Sequence, residues 1–165
     1  MREIKGFTLI ELMVTLAVLA VLLSIAVPSF ADFLRSNRAE SQRTALVNSF
    51  ALARSEAIRR GTQVRVSPIS GTNWSNGWRA WVDSNSNGIY DSGEAIKEFP
   101  AFTGGNTLSS SVSPIIFSSQ GYQSSVAFGA ATTLQFRVGA SYCSLERDIT
   151  INHLGRVSSN RRTCS

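Results

Sequence analysis

From Leu12 to Ala31 twenty consecutive positions carry no charge, and Leu, Val, Ala and Ile fill most of them. A stretch of about 20 apolar residues is what crosses a bilayer core as a helix. Pro28 lies inside this stretch; it removes a backbone donor and predicts a kink or loosening there. Beyond it Phe30, Phe33, Leu34, Leu46, Phe50, Ala53, Ala57 and Ile58 recur mostly at three- and four-residue steps, with Arg35, Arg38, Glu40, Arg43 and Arg59 between them. That spacing predicts an amphipathic helix continuing the first and capped at Gly61. One helix of about 50 residues would be about 75 Å long.

After Gly61 the period shortens to two. Val64 and Val66, then Leu134, Phe136 and Val138, then Ile149 and Ile151 alternate with polar residues, and Trp78 to Val82, Ala95 to Phe99 and Ile115 to Phe117 are further short candidates. Thr103 to Ser125, rich in Ser and Gly, reads as long loops or edge strands outside the core. An antiparallel sheet packed on one long helix, an α+β fold, is the economical assembly. The predicted division is 1–6 leader, 7–34 apolar helix and 35–165 head, helical to about residue 61.

The 165 residues suffice for one domain and an appended segment. Arg2, Glu3 and Lys5 precede the apolar run, and the positive-inside rule keeps this short basic leader in the cytoplasm and places the head outside. A secretory signal peptide cut near Ser29-Phe30-Ala31 is the alternative, but its apolar region would run only about 7 to 15 residues and would not carry an acid. Glu11 is that acid. A charge at that depth costs about 2.5 to 3.5 kcal/mol on insertion scales and calls for a partner. Cleavage between Gly6 and Phe7 would create one, the Phe7 α-amine of a neighbouring copy; a Glu reaching up to the headgroups is the plainer reading.

Lys5-Gly6-Phe7-Thr8-Leu9-Ile10-Glu11-Leu12, the apolar run and Pro28 resemble the class III signal of type IV pilins and type II secretion pseudopilins. The resemblance implies leader removal after Gly6 by a prepilin peptidase, N-methylation of Phe7, a single-pass inner-membrane protein with a periplasmic head, and entry of the helix into a filament of pilin subunits. It also implies that Glu11 sets subunit register through a neighbour's N-terminal amine. Leu46 to Gly61, with Arg54 and Glu56, is similar to the helix end of the GspH/FimT group of minor pilins and pseudopilins, and the Trp78 strand, the Cys pair and Gly155-Arg156 fit that group. It implies a minor subunit of a type IV pilus that primes assembly or sits near the tip, or else a type II secretion pseudopilin. By residue type alone, Arg54 and Glu56 are solvated helix charges.

Three stretches carry candidate chemistry in the head. Asp83 to Glu94 matches the twelve-residue calcium loop: Asp83, Asn85, Asn87, Asp91 and Glu94 offer side-chain oxygens, Ile89 its carbonyl, and Gly88 the turn. Its flanks read as strands, so a hairpin loop rich in turn formers is the alternative. Cys143 and Cys164 enclose twenty residues in the part placed outside the cytoplasm, where a disulfide persists and is worth about 3 kcal/mol.

Net charge is +5, and Arg147, Arg156, Arg161 and Arg162 cluster inside the Cys143–Cys164 stretch. They are candidates for DNA phosphates, with affinity falling as salt rises. FimT-like members are associated with DNA uptake through Gly-Arg-x-Arg; here Gly155-Arg156-Val157-Ser158 has Ser in place of the second Arg, so only Gly155 and Arg156 carry over. A solvated basic loop or a subunit contact is the alternative. Trp74, Trp78 and Trp81 read as core rather than as base-stacking platforms. One His and two Cys exclude multi-histidine and four-cysteine zinc chemistry. With no nucleophile elbow or phosphate loop around His153, the expectation is a protein that is not an enzyme.

Overall fold

The computed structural model describes residues 6–139 and 142–164. The basic leader residues Arg2, Glu3 and Lys5 lie outside them. One helix, α1 (Leu9–Arg60), runs 52 residues through Pro28 without interruption. Pro28 costs the helix one hydrogen bond and a local clash, and helical structure continues on both sides of it. Both ends are closed chemically. Thr8 Oγ1 accepts the Glu11 N–H at 3.2 Å, an N-cap. At the other end Gly61 has φ 65°, with its N–H on the Ile58 carbonyl and the Thr62 N–H on that of Ala57; this paired arrangement is a Schellman motif.

The chain forms two compact units, divided between Asn37 and Arg38. In the first, the apolar side chains from Phe7 to Leu34 are exposed. In the second, α1 buries Ala39, Leu46, Ser49, Phe50, Ala53 and Ala57, one face of a helix at steps of mostly three and four.

Two antiparallel four-stranded sheets complete the second unit. Strands β1 (Val64–Pro68), β2 (Trp78–Trp81), β3 (Ala95–Phe99) and β5 (Ile115–Phe117) form the first, in the order β3-β2-β1-β5. Strands β4 (Asn106–Ser110), β6 (Ala131–Val138), β7 (Arg147–Asn152) and β8 (Val157–Arg161) form the second, in the order β4-β6-β7-β8. Inward residues alternate as the sequence predicts: Val64 and Val66, Leu134, Phe136 and Val138, Ile149 and Ile151 are all buried. Aromatic rings link the sheets, since Trp78 meets Phe102 at 5.1 Å between centroids and Phe102 meets Phe136 at 5.4 Å. The Trp78 indole N–H donates to Ser49 Oγ at 2.8 Å, tying β2 to the helix.

Two expectations are corrected. Thr103 to Ser125 holds two edge strands, yet Leu108, Ile115 and Phe117 from it are core residues; the serines between them mask a short inward pattern. Part of the basic stretch expected as a loop is strand β8, whose sequence Val-Ser-Ser-Asn-Arg has one apolar residue and pairs through its main chain. Trp74, Trp78 and Trp81 are all buried, as expected, although Trp81 lies on the opposite face of β2 and outside the main cluster. It is buried there against Tyr90 at 5.9 Å, and its N–H donates to Ser67 Oγ at 3.0 Å.

Candidate functional site

At the N-terminus Gly6 and Phe7 precede the first helical turn, and Phe7 is 81% exposed. Thr8 and Glu11 stand at the N-cap and third helical positions, so Glu11 also places its negative charge where the helix dipole favours it. The Thr-x-x-Glu spacing was the available signal for this local role. Within α1 one segment is long and apolar enough to cross a membrane.

The Asp83–Glu94 loop brings its polar side chains together but uses them on itself. Asp83 Oδ1 accepts the Asn87 N–H and Oδ2 that of Gly88, while Oδ2 also pairs with Arg65 at 3.0 Å. Glu94 accepts the Ser84 and Asp91 N–H groups, one on each oxygen. The amide nitrogens of Asn85 and Asn87 both donate to Asp91 Oδ2, at 2.8 and 2.7 Å. In this arrangement the Asn85 and Asn87 amides turn donors toward the Asp91 carboxylate, so the loop's polar groups satisfy one another. Among the described residues no group of three His, Cys, Asp or Glu side chains is placed to hold a metal. Tyr90 instead pins the loop to the first sheet, with Arg79 over its ring at 3.9 Å.

Cys143 and Cys164 are joined, with Cα atoms 5.9 Å apart, and anchor the end of β8. The four arginines inside that bridge have different surroundings. Arg162 pairs with Glu146 at 2.6 Å. Arg147 donates to the Ser144 and Glu146 carbonyls, and burial, with Arg161 and Arg43 close by, lowers its pKa. Arg156 and Arg161 are exposed, and neither guanidinium has a hydrogen-bond or carboxylate partner among the described residues. Arg43 belongs with this group although it lies on α1; it pairs with Glu40 and holds that carboxyl below its usual range. Linear distance hid it, because only the fold brings residue 43 beside residues 147 and 161.

Arg54 is a structural clamp as well as a helix charge. Its Nε donates to the Gly121 carbonyl at 2.9 Å. A Cβ on Gly155, where φ is 73°, would stand 2.2 Å from that same carbonyl oxygen and 2.9 Å from Arg54 Nε. Gly155 therefore serves close packing, and only the neighbouring Arg156 projects outward. Glu56 forms ion pairs with Arg59 and Arg60, whose hydrogen bonds bring its pKa down to about 2. His153 lies against Phe128, 4.6 Å between centroids with the rings tilted by 56°, and no side-chain hydrogen bond joins it to Ser or Asp among the described residues.

The comparisons agree with this architecture. The family described as "Type II transport protein GspH" matches residues 42–155, and the prokaryotic N-terminal methylation motif matches residues 1–27. The chain is 38% identical over 92 residues to the pilin-like protein PilA1 of Thermus thermophilus, covering 54% of this chain and 55% of that protein, so it spans about half the length of that relative. It is 32% identical over 108 residues to the type IV narrow pilus major component PilA5 of the same organism, covering 62% of this chain and 90% of that one. The fold is similar to that of the type IV minor pilin FimU of Pseudomonas aeruginosa, with a TM-score of 0.60 at 18% identity over 76% of this chain and 90% of FimU. A methylation motif opening onto an exposed apolar helix, followed by a head that matches GspH through most of its length, shows that the chain belongs to the GspH family of type IV pilin-like minor pilins and pseudopilins.

Proposed function

We propose that this protein is a minor subunit of a type IV pilus, acting in assembly as part of a priming or tip complex. The observation that carries the reading is the division of labour along α1, whose first half exposes apolar side chains from Phe7 to Leu34 while its second half fills the head's own core. An apolar surface of that extent is stable only in lipid or against other helices, and both occur in the life of a filament subunit. Before assembly the helix crosses the inner membrane with the leader cytoplasmic and the head periplasmic. Prepilin peptidase cuts after Gly6 and the new Phe7 amine is methylated; Glu11 then meets the amine of an adjacent subunit.

Expression with and without a prepilin peptidase tests this. Mass spectrometry of the membrane fraction should find an N-terminal methyl-Phe7 in the first case and the intact leader in the second. A Gly6→Ala variant should retain the leader and stay out of filaments. Leader retention by the unaltered chain in the presence of the peptidase would sink the reading.

A second reading, DNA uptake, draws support from the unpartnered heads of Arg156 and Arg161. It predicts duplex binding that weakens steeply with salt and is lost in Arg156→Ala/Arg161→Ala. Absence of binding at low salt assigns both arginines to protein contacts. A pseudopilin of type II secretion would share the processing and the fold; co-purification with pilus or with secretion components separates the two machines.

A further inference from the structure

β8 is the last strand of its sheet and, among the described residues, pairs only with β7. The phase of that ladder follows from its flanking bonds, Asn152 N–H to the Arg156 carbonyl and Arg162 N–H to the Glu146 carbonyl. Alternation then turns the N–H and C=O groups of Val157, Ser159 and Arg161 away from β7, toward an open edge. Among the described residues nothing takes them up. Ser159 Oγ is also buried without a partner. Exposed edges of this kind are normally covered, bulged or blocked by proline, and β8 has none of these devices.

Beside the Val157 end of this edge lies a groove of about 400 Å³ between the start of β8 and the second half of α1, with Val47, Ala51, Ile58 and Val157 along its walls. Both ends of β8 are basic. Arg156 precedes Val157 at one, and Arg54 lines the groove beside it. At the other, Arg147 is paired in register with Arg161 and lies near Arg43, with Glu40 as the acid between them.

We propose that the open edge of β8 and this groove form a strand-addition site for an extended acidic segment of another protein. Its main chain pairs with Val157, Ser159 and Arg161, a small apolar side chain rests over Val47 and Val157, and carboxylates meet the arginines at either end. An unpaired ladder, an apolar floor and charge at both ends are what recognition by strand addition requires. A nucleic acid would satisfy the arginines but has no peptide groups for the edge and no use for the apolar floor.

The full chain in detergent micelles, disulfide intact, should be panned against a displayed library of random twelve-residue peptides. Enriched sequences should carry two acids flanking alternating small apolar residues. Ser159→Pro removes an N–H that faces away from β7, so the ladder survives; it should weaken the selected peptide at least ten-fold while the melting temperature stays near that of the parent. Arg43→Gln/Arg161→Gln should weaken it by a similar factor. Should Ser159→Pro fail to fold, hydrogen exchange on the unaltered chain decides: the peptide should slow the Val157, Ser159 and Arg161 amides at least ten-fold. No enrichment of acidic extended peptides, no loss with either variant, or no slowing of those amides overturns the proposal. So does a duplex DNA that binds in place of the peptides.

Discussion

The two halves of α1 obey the same helical geometry and use their apolar residues in opposite ways. Leu19 and Leu22, in the first half, are 49% and 59% exposed, whereas Leu46 and Phe50, in the second, are wholly buried. The second half has found its counterpart in the two sheets of its own chain; the first half leaves its apolar surface exposed. Hydrophobicity alone therefore does not tell a folding core from an assembly surface. The distribution does: the first half is apolar all round, and the second confines its apolar positions to one face.

Substitutions in the two halves should separate these roles. The largest expected effect is that of Phe50→Ala, which removes a ring packed near Trp74 at 6.4 Å and should cost the head about 3 to 5 kcal/mol in thermal or denaturant unfolding. Leu19→Ala in the same measurement should leave the head's stability unchanged; an equal loss would erase the distinction. Breaking the Cys143–Cys164 bridge by a double Ser substitution should cost about 3 kcal/mol by the chain-entropy relation, and hydrogen exchange should show β8 as the strand most loosened. Ser49→Ala strands the buried Trp78 N–H and should cost about 1 to 3 kcal/mol, with Trp fluorescence reporting the change.

Smaller again is Glu56→Gln. The Glu56 carboxyl titrates near 2, below the ordinary 4.5. A lowered pKa means that the stabilisation is fully present above the ordinary value and fades as pH falls toward 2. The variant's deficit in melting temperature should therefore be small at neutral pH, shrink through that acidic window and be gone below it. Calcium at millimolar concentration should leave the head's melting temperature where it was; a rise would mean that Asn85 and Asn87 turn their amides over to face an ion.

The sequence carries the helix and strands β1, β6 and β7, because Phe50, Val64, Phe136 and Ile149 each repeat at the period of their element. Leu108 escapes such a reading, since it stands alone among serines and its burial depends on pairing with Phe136 across the sheet. Trp81 is placed by a register irregularity at Ala80/Trp81 and by Tyr90 from a loop, neither of which leaves a local pattern. At the candidate sites the residue types were visible, but their commitments were not. Arg162 and Arg156 look alike in the sequence; one is joined to Glu146 and the other is not.

The interleaved order of the strands has a mechanical consequence. The chain leaves the first sheet after β3, contributes β4 to the second, returns for β5 and leaves again for β6. The two layers are thus stitched by three crossings of the backbone, and neither can be peeled away without drawing on the other's outermost strand. Calorimetry of the head should accordingly record a single transition whose van't Hoff and calorimetric enthalpies coincide. Load carried along a fibre would meet one block that holds or yields as a whole.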